Sequence, residues 1–117
     1  MLVVEFEAED DAVLVHVKGD IDSGTADELT AHLTAALNQA ETHSARLLIV
    51  DLHAVDFFGS AALNAVLDCH EEGKQAGTTV RLVADHDQVL RPIQVTELDR
   101  IFDIYPTLSE ALQRKSQ

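Results

Sequence analysis

The sequence is poor in the residues that mark a membrane span, a disulfide scaffold or a nucleic-acid-binding surface. No stretch approaches the roughly 20 apolar residues of a transmembrane helix, so we expect no contact with a membrane. The single cysteine, Cys69, cannot form a disulfide within the chain, which suits a reducing cytoplasm. Basic residues number 8 against 21 acidic ones, and a net charge of −13 argues against nucleic acid as a partner.

Glycine and the common catalytic motifs are also scarce. Only five glycines are present and they are scattered, so no glycine-rich phosphate-binding loop exists. His70-Glu71-Glu72 lacks the second histidine of a zinc-binding helix, and Asp85-His86-Asp87 is more typical of a helix N-terminus than of a cation site. Ser60 has no nucleophile-elbow motif and no general base beyond the distant His53. We therefore expect neither an enzyme, a metal site nor a cofactor.

Length and composition indicate one soluble domain. With 117 residues, 46% of them hydrophobic, the chain is long enough to form a hydrophobic core and too short for two domains. A single domain over 1–117 is therefore predicted. The N-terminal stretch MLVVEFEAEDD is acidic and does not resemble a secretory signal. The acidity favours solubility, or alternatively electrostatic attraction to a basic protein partner.

Hydrophobic patterning predicts an α/β fold with a mixed, largely parallel sheet of about four to five strands and four helices. An opening pair of strands is followed by alternating helices and strands, which implies right-handed crossovers. The predicted strands are 2–7, 12–17, a central strand beginning at 47, 78–84 and a short extended segment at 98–105. The predicted helices begin near 25, 61, 85 and 107, and residues 115–117 are expected to fray.

The central segment Arg46–Leu67 is predicted to form a strand, a turn and the start of a helix. A buried strand is followed by Gly59, which permits a tight or positive-φ turn, and by Ser60, which is suited to cap a helix over 61–76. That helix ends at Gly77, and Cys69 within it is interpreted as a packing residue. His16, between two valines, is interpreted as a sheet histidine that either faces solvent or is satisfied by local partners.

Two polar segments are expected to meet at one edge of the sheet. Gly19–Ser23 forms a polar turn after the second strand, and Gly59-Ser60 follows the central strand. Because parallel strands end at the same edge, Asp20 and Asp22 are predicted to flank the helix that carries Ser60. Alternatively, Asp22 and Ser23 only cap the first helix. Thr25–Glu28 and Thr107–Glu110 both have capping-box spacing.

Three segments resemble a known family. Asp51–Leu63, DLHAVDFFGSAAL, resembles the signature D-L-x-x-V-x-F-[aliphatic or aromatic]-D-S-[ST]-G-L of the STAS domain, the anti-anti-sigma factor family. Gly19–Asp22 resembles the G-[ED]-[LIV]-D turn of that family, and Thr96–Phe102 resembles its T-G-L-x-x-[LIV]-F segment. The segments occur in order at fitting spacings, so the resemblance covers nearly the whole chain and implies the STAS fold.

The resemblance implies a regulator of transcription that acts by binding. Similar STAS proteins are antagonists of an anti-sigma factor that is also a serine kinase, and their binding releases the sigma factor. The kinase phosphorylates the hydroxyl residue just before the signature glycine, and a phosphatase reverses the modification. The added charge and bulk oppose binding.

The signature residues carry over incompletely. The D-S-[ST]-G part of the STAS signature aligns with Gly59, Ser60, Ala61 and Ala62. Asp22 matches the final aspartate of the family's G-[ED]-[LIV]-D turn. The usual acceptor position, Ala61, has no hydroxyl, which leaves Ser60 as the candidate phosphorylation site. Three interpretations stay open: an antagonist without a phosphoswitch, a switch that uses Ser60, and a divergent STAS scaffold.

The predicted partner is an anti-sigma factor of the serine-kinase type, with a phosphatase where the switch operates. A STAS-type sensor of a small ligand or nucleotide and a scaffold subunit of a larger complex are the alternatives. The chain itself is expected to be a monomer or a weak homodimer. The predicted docking edge contains Asp20, Asp22, Ser23, Phe58, Gly59, Ser60, Ala61 and Asn64.

Overall fold

A five-stranded sheet forms the centre of the computed structural model, which describes residues 1–113. The strands lie in the order β1-β2-β3-β4-β5, with β1 antiparallel to β2 and the others parallel, which confirms the predicted largely parallel α/β fold. The strands are β1 (Leu2–Ala8), β2 (Val13–Ile21), β3 (Leu47–Phe58), β4 (Thr79–Val83) and β5 (Asp103–Tyr105). The helices are α1 (Ala26–Thr42), α2 (Ser60–Gln75), α3 (Asp87–Val95) and α4 (Leu108–Gln113), with a 3-10 helix at Leu98–Arg100.

The central strand β3 is buried because apolar residues cover the sheet on both faces. Leu48, Val50 and Leu52 point into the larger cluster, which α1, α2 and α3 share. Ile49 points the other way, into a smaller cluster that includes Ala111 of α4. This two-sided burial explains the unbroken apolar run that opens the strand.

Two predicted boundaries are wrong. The second strand extends to Ile21, so Gly19 and Asp20 belong to the strand and the turn begins at Asp22. The final extended segment is restricted to β5, because its first part forms the 3-10 helix. Glu97 precedes that helix with a φ of 61°, and this left-handed turn interrupts any extended path.

The two predicted capping boxes have different outcomes. At α4 the prediction is confirmed on the threonine side, since Thr107 Oγ1 accepts a hydrogen bond from Glu110 N at 3.1 Å. At α1 it is wrong, because Thr25 makes no side-chain cap hydrogen bond to the helix. The Thr25 hydroxyl instead donates to the Asp20 carbonyl oxygen at 2.9 Å. The predicted frayed tail, 115–117, lies outside the described residues.

The packing role of Cys69 is confirmed. Its thiol lies in the core, and burial, with a smaller contribution from the Glu72 carboxylate, raises its pKa to about 12. The thiol therefore stays protonated at neutral pH and is a poor nucleophile. Gly77 follows α2 with a φ of 74°, as expected of a glycine that ends a helix. Within residues 1–113, no helix is both long and apolar enough to cross a membrane.

His16 joins three neighbouring strands. Its Nδ1 lies 2.9 Å from Asp51 Oδ2 on β3, and its Nε2 lies 3.0 Å from Glu7 Oε1 on β1. This confirms the interpretation of a locally satisfied sheet histidine. Burial lowers the pKa of His16, but its hydrogen bonds to both carboxylates and their charges outweigh that effect, so the pKa lies above 6.5.

Candidate functional site

The ends of β2 and β3 meet at the edge where the sequence predicts a site. Ile21 pairs with Phe58 in the parallel ladder, and the Gly59 amide donates to the Ile21 carbonyl oxygen at 3.1 Å. Asp22 and Ser60, each one residue further along the chain, therefore leave the sheet at the same edge. The predicted juxtaposition of the acidic turn with the start of α2 is confirmed.

Asp22 shapes the loop between β2 and α1. Its Oδ1 accepts hydrogen bonds from Gly24 N at 2.8 Å and from Thr25 N at 3.1 Å. Its own amide donates to Thr25 Oγ1 at 3.0 Å. Asp22 therefore stabilises the loop before α1 through its hydrogen bonds to loop amides. Its side chain is nevertheless exposed, so a partner can also contact it.

The start of α2 differs by one residue from the prediction. Gly59, rather than Ser60, occupies the N-cap position, and Ser60 is the first residue of the helix. No side chain caps this end of α2 in the described part of the chain. Gly59 has a φ of −83°, so a left-handed turn is not the reason for glycine here. A Cβ at this position would instead lie 3.0 Å from Cε2 of Phe57.

Most of the predicted docking residues lie on the surface. Asp20, Asp22, Ser23, Ser60 and Asn64 are exposed, and Gly59 and Ala61 are half-buried. Ser60 and Asn64 lie four residues apart and so share one face of α2. These residues form what we call the docking edge, the surface made by 20–23 and 59–64.

Phe58 is the exception among these residues, because its side chain is 2% exposed and belongs to the core. Phe57, which sequence reasoning missed, is 52% exposed. The pairing of β2 with β3 explains why Phe57 rather than Phe58 is exposed. Gly19 pairs with Val55 and Asp20 with Phe57, so Asp56 is an extra residue in β3. Such a bulge breaks the alternation of faces along a strand. Both phenylalanines are visible in the sequence, but the bulge that exposes one of them is not.

One hollow of the molecule lies apart from the docking edge. A hollow of about 410 Å³ lies near the start of β4, lined in part by His70, Lys74 and Thr79. Strand β4 runs parallel to β3, so its start lies away from the docking edge. Within residues 1–113 no group of three or more histidine, cysteine or acidic side chains is arranged to hold a metal ion.

Comparison with known protein families matches residues 3–111 to the STAS domain. The chain belongs to the STAS domain family. The anti-sigma-F factor antagonist RsfA of Mycobacterium tuberculosis is 31% identical over 103 residues, which cover 88% of this chain and 79% of RsfA. These matches extend the resemblance of the three short segments to almost the full sequence.

Solved structures agree with the STAS assignment. The crystal structure of an anti-sigma factor antagonist from Mycobacterium paratuberculosis has a TM-score of 0.85 and 35% identity, covering 96% of this chain and 92% of that one. The antagonist SpoIIAA in its unphosphorylated form has a TM-score of 0.75 at 18% identity, covering 96% and 95% of the two chains, and supports the fold alone. The segment Asp51–Leu63, which resembles the STAS signature, contains the end of β3 and the first turn of α2.

Proposed function

We propose that this STAS protein is an anti-sigma factor antagonist, which binds an anti-sigma factor and thereby releases a sigma factor for transcription. The observation that carries the proposal is its relationship to RsfA, which is named as an antagonist of an anti-sigma factor and aligns over most of both chains. The antagonist of Mycobacterium paratuberculosis, at 35% identity, supports the same function. The proposed activity is binding, without catalysis.

We propose further that the partner docks on the docking edge. Two elements meet there through the hydrogen bond between Gly59 and Ile21, which supports a fixed geometry between the Asp22 loop and the first turn of α2. The exposed side chains of the edge include two carboxylates, two serines and an asparagine. A rigid, partly polar surface of this kind favours a specific contact with a protein.

Ser60 is the proposed phosphorylation site. Its side chain is exposed at the first position of α2, within reach of a kinase, whereas Ala61 has no hydroxyl to modify. A phosphate there would add a charge of about −1.5 to −2 beside the exposed carboxylates of the Asp22 loop. The resulting repulsion and bulk oppose docking of a partner that fits the unmodified edge.

The test is calorimetry with purified anti-sigma factors of the source genome, each produced separately. Wild-type protein is expected to bind at least one of them. Ser60→Glu is expected to bind at least about tenfold more weakly, because it adds an unpaired charge to the interface. Ser60→Ala is expected to bind like wild type.

Ser44→Glu provides the matched control. Ser44 is also exposed, but it precedes β3 and so lies at the other end of that strand from Ser60. This variant should bind normally if charge at the docking edge is what matters. Failure of wild-type protein to bind any anti-sigma factor would contradict the proposed function, and normal binding by Ser60→Glu would contradict the proposed location.

A further inference from the structure

Phe57 is an aromatic side chain that lies next to both segments of the docking edge. It is 52% exposed, and it pairs with Asp20 across the parallel ladder of β2 and β3. Partners in a parallel ladder place their side chains on the same face of the sheet. The ring therefore lies on the same face as Asp20, and Phe57 is three residues before Ser60, the first residue of α2.

The ring occupies space that a side chain at position 59 would take. A Cβ on Gly59 would lie 3.0 Å from Cε2 and 3.3 Å from Cζ of Phe57. In the STAS signature this position is an aspartate. The glycine of this chain thus lets the aromatic ring pack against the backbone at the start of α2, where other members carry a charge.

Exposed carboxylates are the neighbours of this apolar group in the chain and in the ladder. Asp20, Asp22 and Asp56 are all exposed, and Asp56 is the bulged residue directly before Phe57. Lys18 is the basic side chain on this part of β2. An aromatic group within an acidic border is complementary to an apolar pocket that is bordered by lysine or arginine side chains.

We infer that Phe57 is the anchor of the interface, inserting into an apolar pocket of the anti-sigma factor that is rimmed by basic side chains. This inference rests on the proposed function, because it names the chemistry by which the same edge recognises that partner. Aromatic residues that fill a pocket at the centre of an interface carry a large share of the binding energy, and acidic rim residues speed association.

The test compares Phe57→Ala with Phe6→Ala, using the individually purified anti-sigma factor that binds wild-type protein. Phe6 is 41% exposed on β1 and contacts His32 of α1, so it is a matched aromatic away from the docking edge. Phe57→Ala is expected to weaken binding by about 30-fold or more, as loss of an anchor does. Phe6→Ala is expected to change affinity less than about threefold.

Phe57→Leu is the control that separates a loss of binding from a loss of folding. Leucine keeps much of the apolar volume, so this variant should recover part of the affinity that alanine loses, and thermal unfolding should show both variants folded. Asp56→Asn should slow association and reduce its dependence on salt, whereas Asp68→Asn, a matched change at an exposed position of α2, should not.

Each outcome decides between the inference and the proposed function. If wild type binds and Phe57→Ala binds within tenfold of it, the anchor is refuted while the antagonist function stands. Equal losses for Phe57→Ala and Phe6→Ala would also refute the anchor. If wild type binds no anti-sigma factor, the proposed function itself fails and the inference fails with it.

Discussion

Asparagine and alanine at position 22 separate the structural role of this acid from its role in binding. Asparagine keeps an oxygen that can accept hydrogen bonds from Gly24 N and Thr25 N, which lie 2.8 and 3.1 Å from Asp22 Oδ1. It removes only the negative charge. Alanine removes both the charge and the acceptor.

The expected loss of stability follows from those two hydrogen bonds. Asp22→Ala loses both hydrogen bonds to the loop amides, which is expected to cost about 1 kcal/mol, because Asp22 is exposed and water replaces part of what is lost. For a domain of this size, 1 kcal/mol lowers the Tm by about 4 °C. Asp22→Asn is expected to lose less than about 0.5 kcal/mol, because the acceptor remains.

Urea denaturation and calorimetry with the anti-sigma factor measure the two effects in the same samples. Asp22→Asn is expected to bind about three- to tenfold more weakly at low salt although its stability is nearly unchanged. If Asp22→Asn were destabilised as much as Asp22→Ala, the hydrogen-bond account would be wrong. Normal binding by Asp22→Asn would show that the charge at position 22 plays no part in recognition.

Three further predictions concern the scaffold. Gly73→Ala should destabilise the protein by about 1–2 kcal/mol in urea denaturation, because its Cβ would lie 2.7 Å from Val80 Cγ2 and the overlap outweighs the gain in helix propensity; a raised Tm would contradict this. Because the pKa of His16 is raised in the folded state, its protonated ring stabilises the fold fully below about pH 6.5, and this stabilisation should be lost as pH rises through the folded-state pKa. Urea denaturation midpoints measured across this pH range should show the loss in wild type and not in His16→Gln. Cys69 should react with a thiol reagent at pH 8 far more slowly in native than in urea-unfolded protein, and equal rates would mean that the thiol is accessible.

Much of the fold was predictable because its strands are strongly patterned. The apolar run that opens β3 and the alternation of strands with amphipathic helices indicate a covered, largely parallel sheet before any coordinates are known. Gly77 marks the end of α2 for a similar local reason. Such features depend on neighbours in sequence, and the structure confirms them.

The candidate site was only partly predictable, because it depends on contacts between distant residues. That the Asp22 loop and Ser60 meet follows from the rule that parallel strands end at one edge. The hydroxyl oxygen of Thr25 was expected to accept from an amide of α1, but it accepts from the Asp22 amide at 3.0 Å while the hydroxyl donates to the Asp20 carbonyl oxygen. The exchange of Phe57 for Phe58 follows from a bulge, and a bulge is a property of two paired strands rather than of one sequence.

The most direct test of the docking edge is hydrogen–deuterium exchange of the protein with and without its anti-sigma factor. The account predicts that added protection concentrates in two segments, 20–25 and 57–64, which are distant in sequence and adjacent in the structure. Protection centred instead on 70–80, around the hollow at the start of β4, would contradict it.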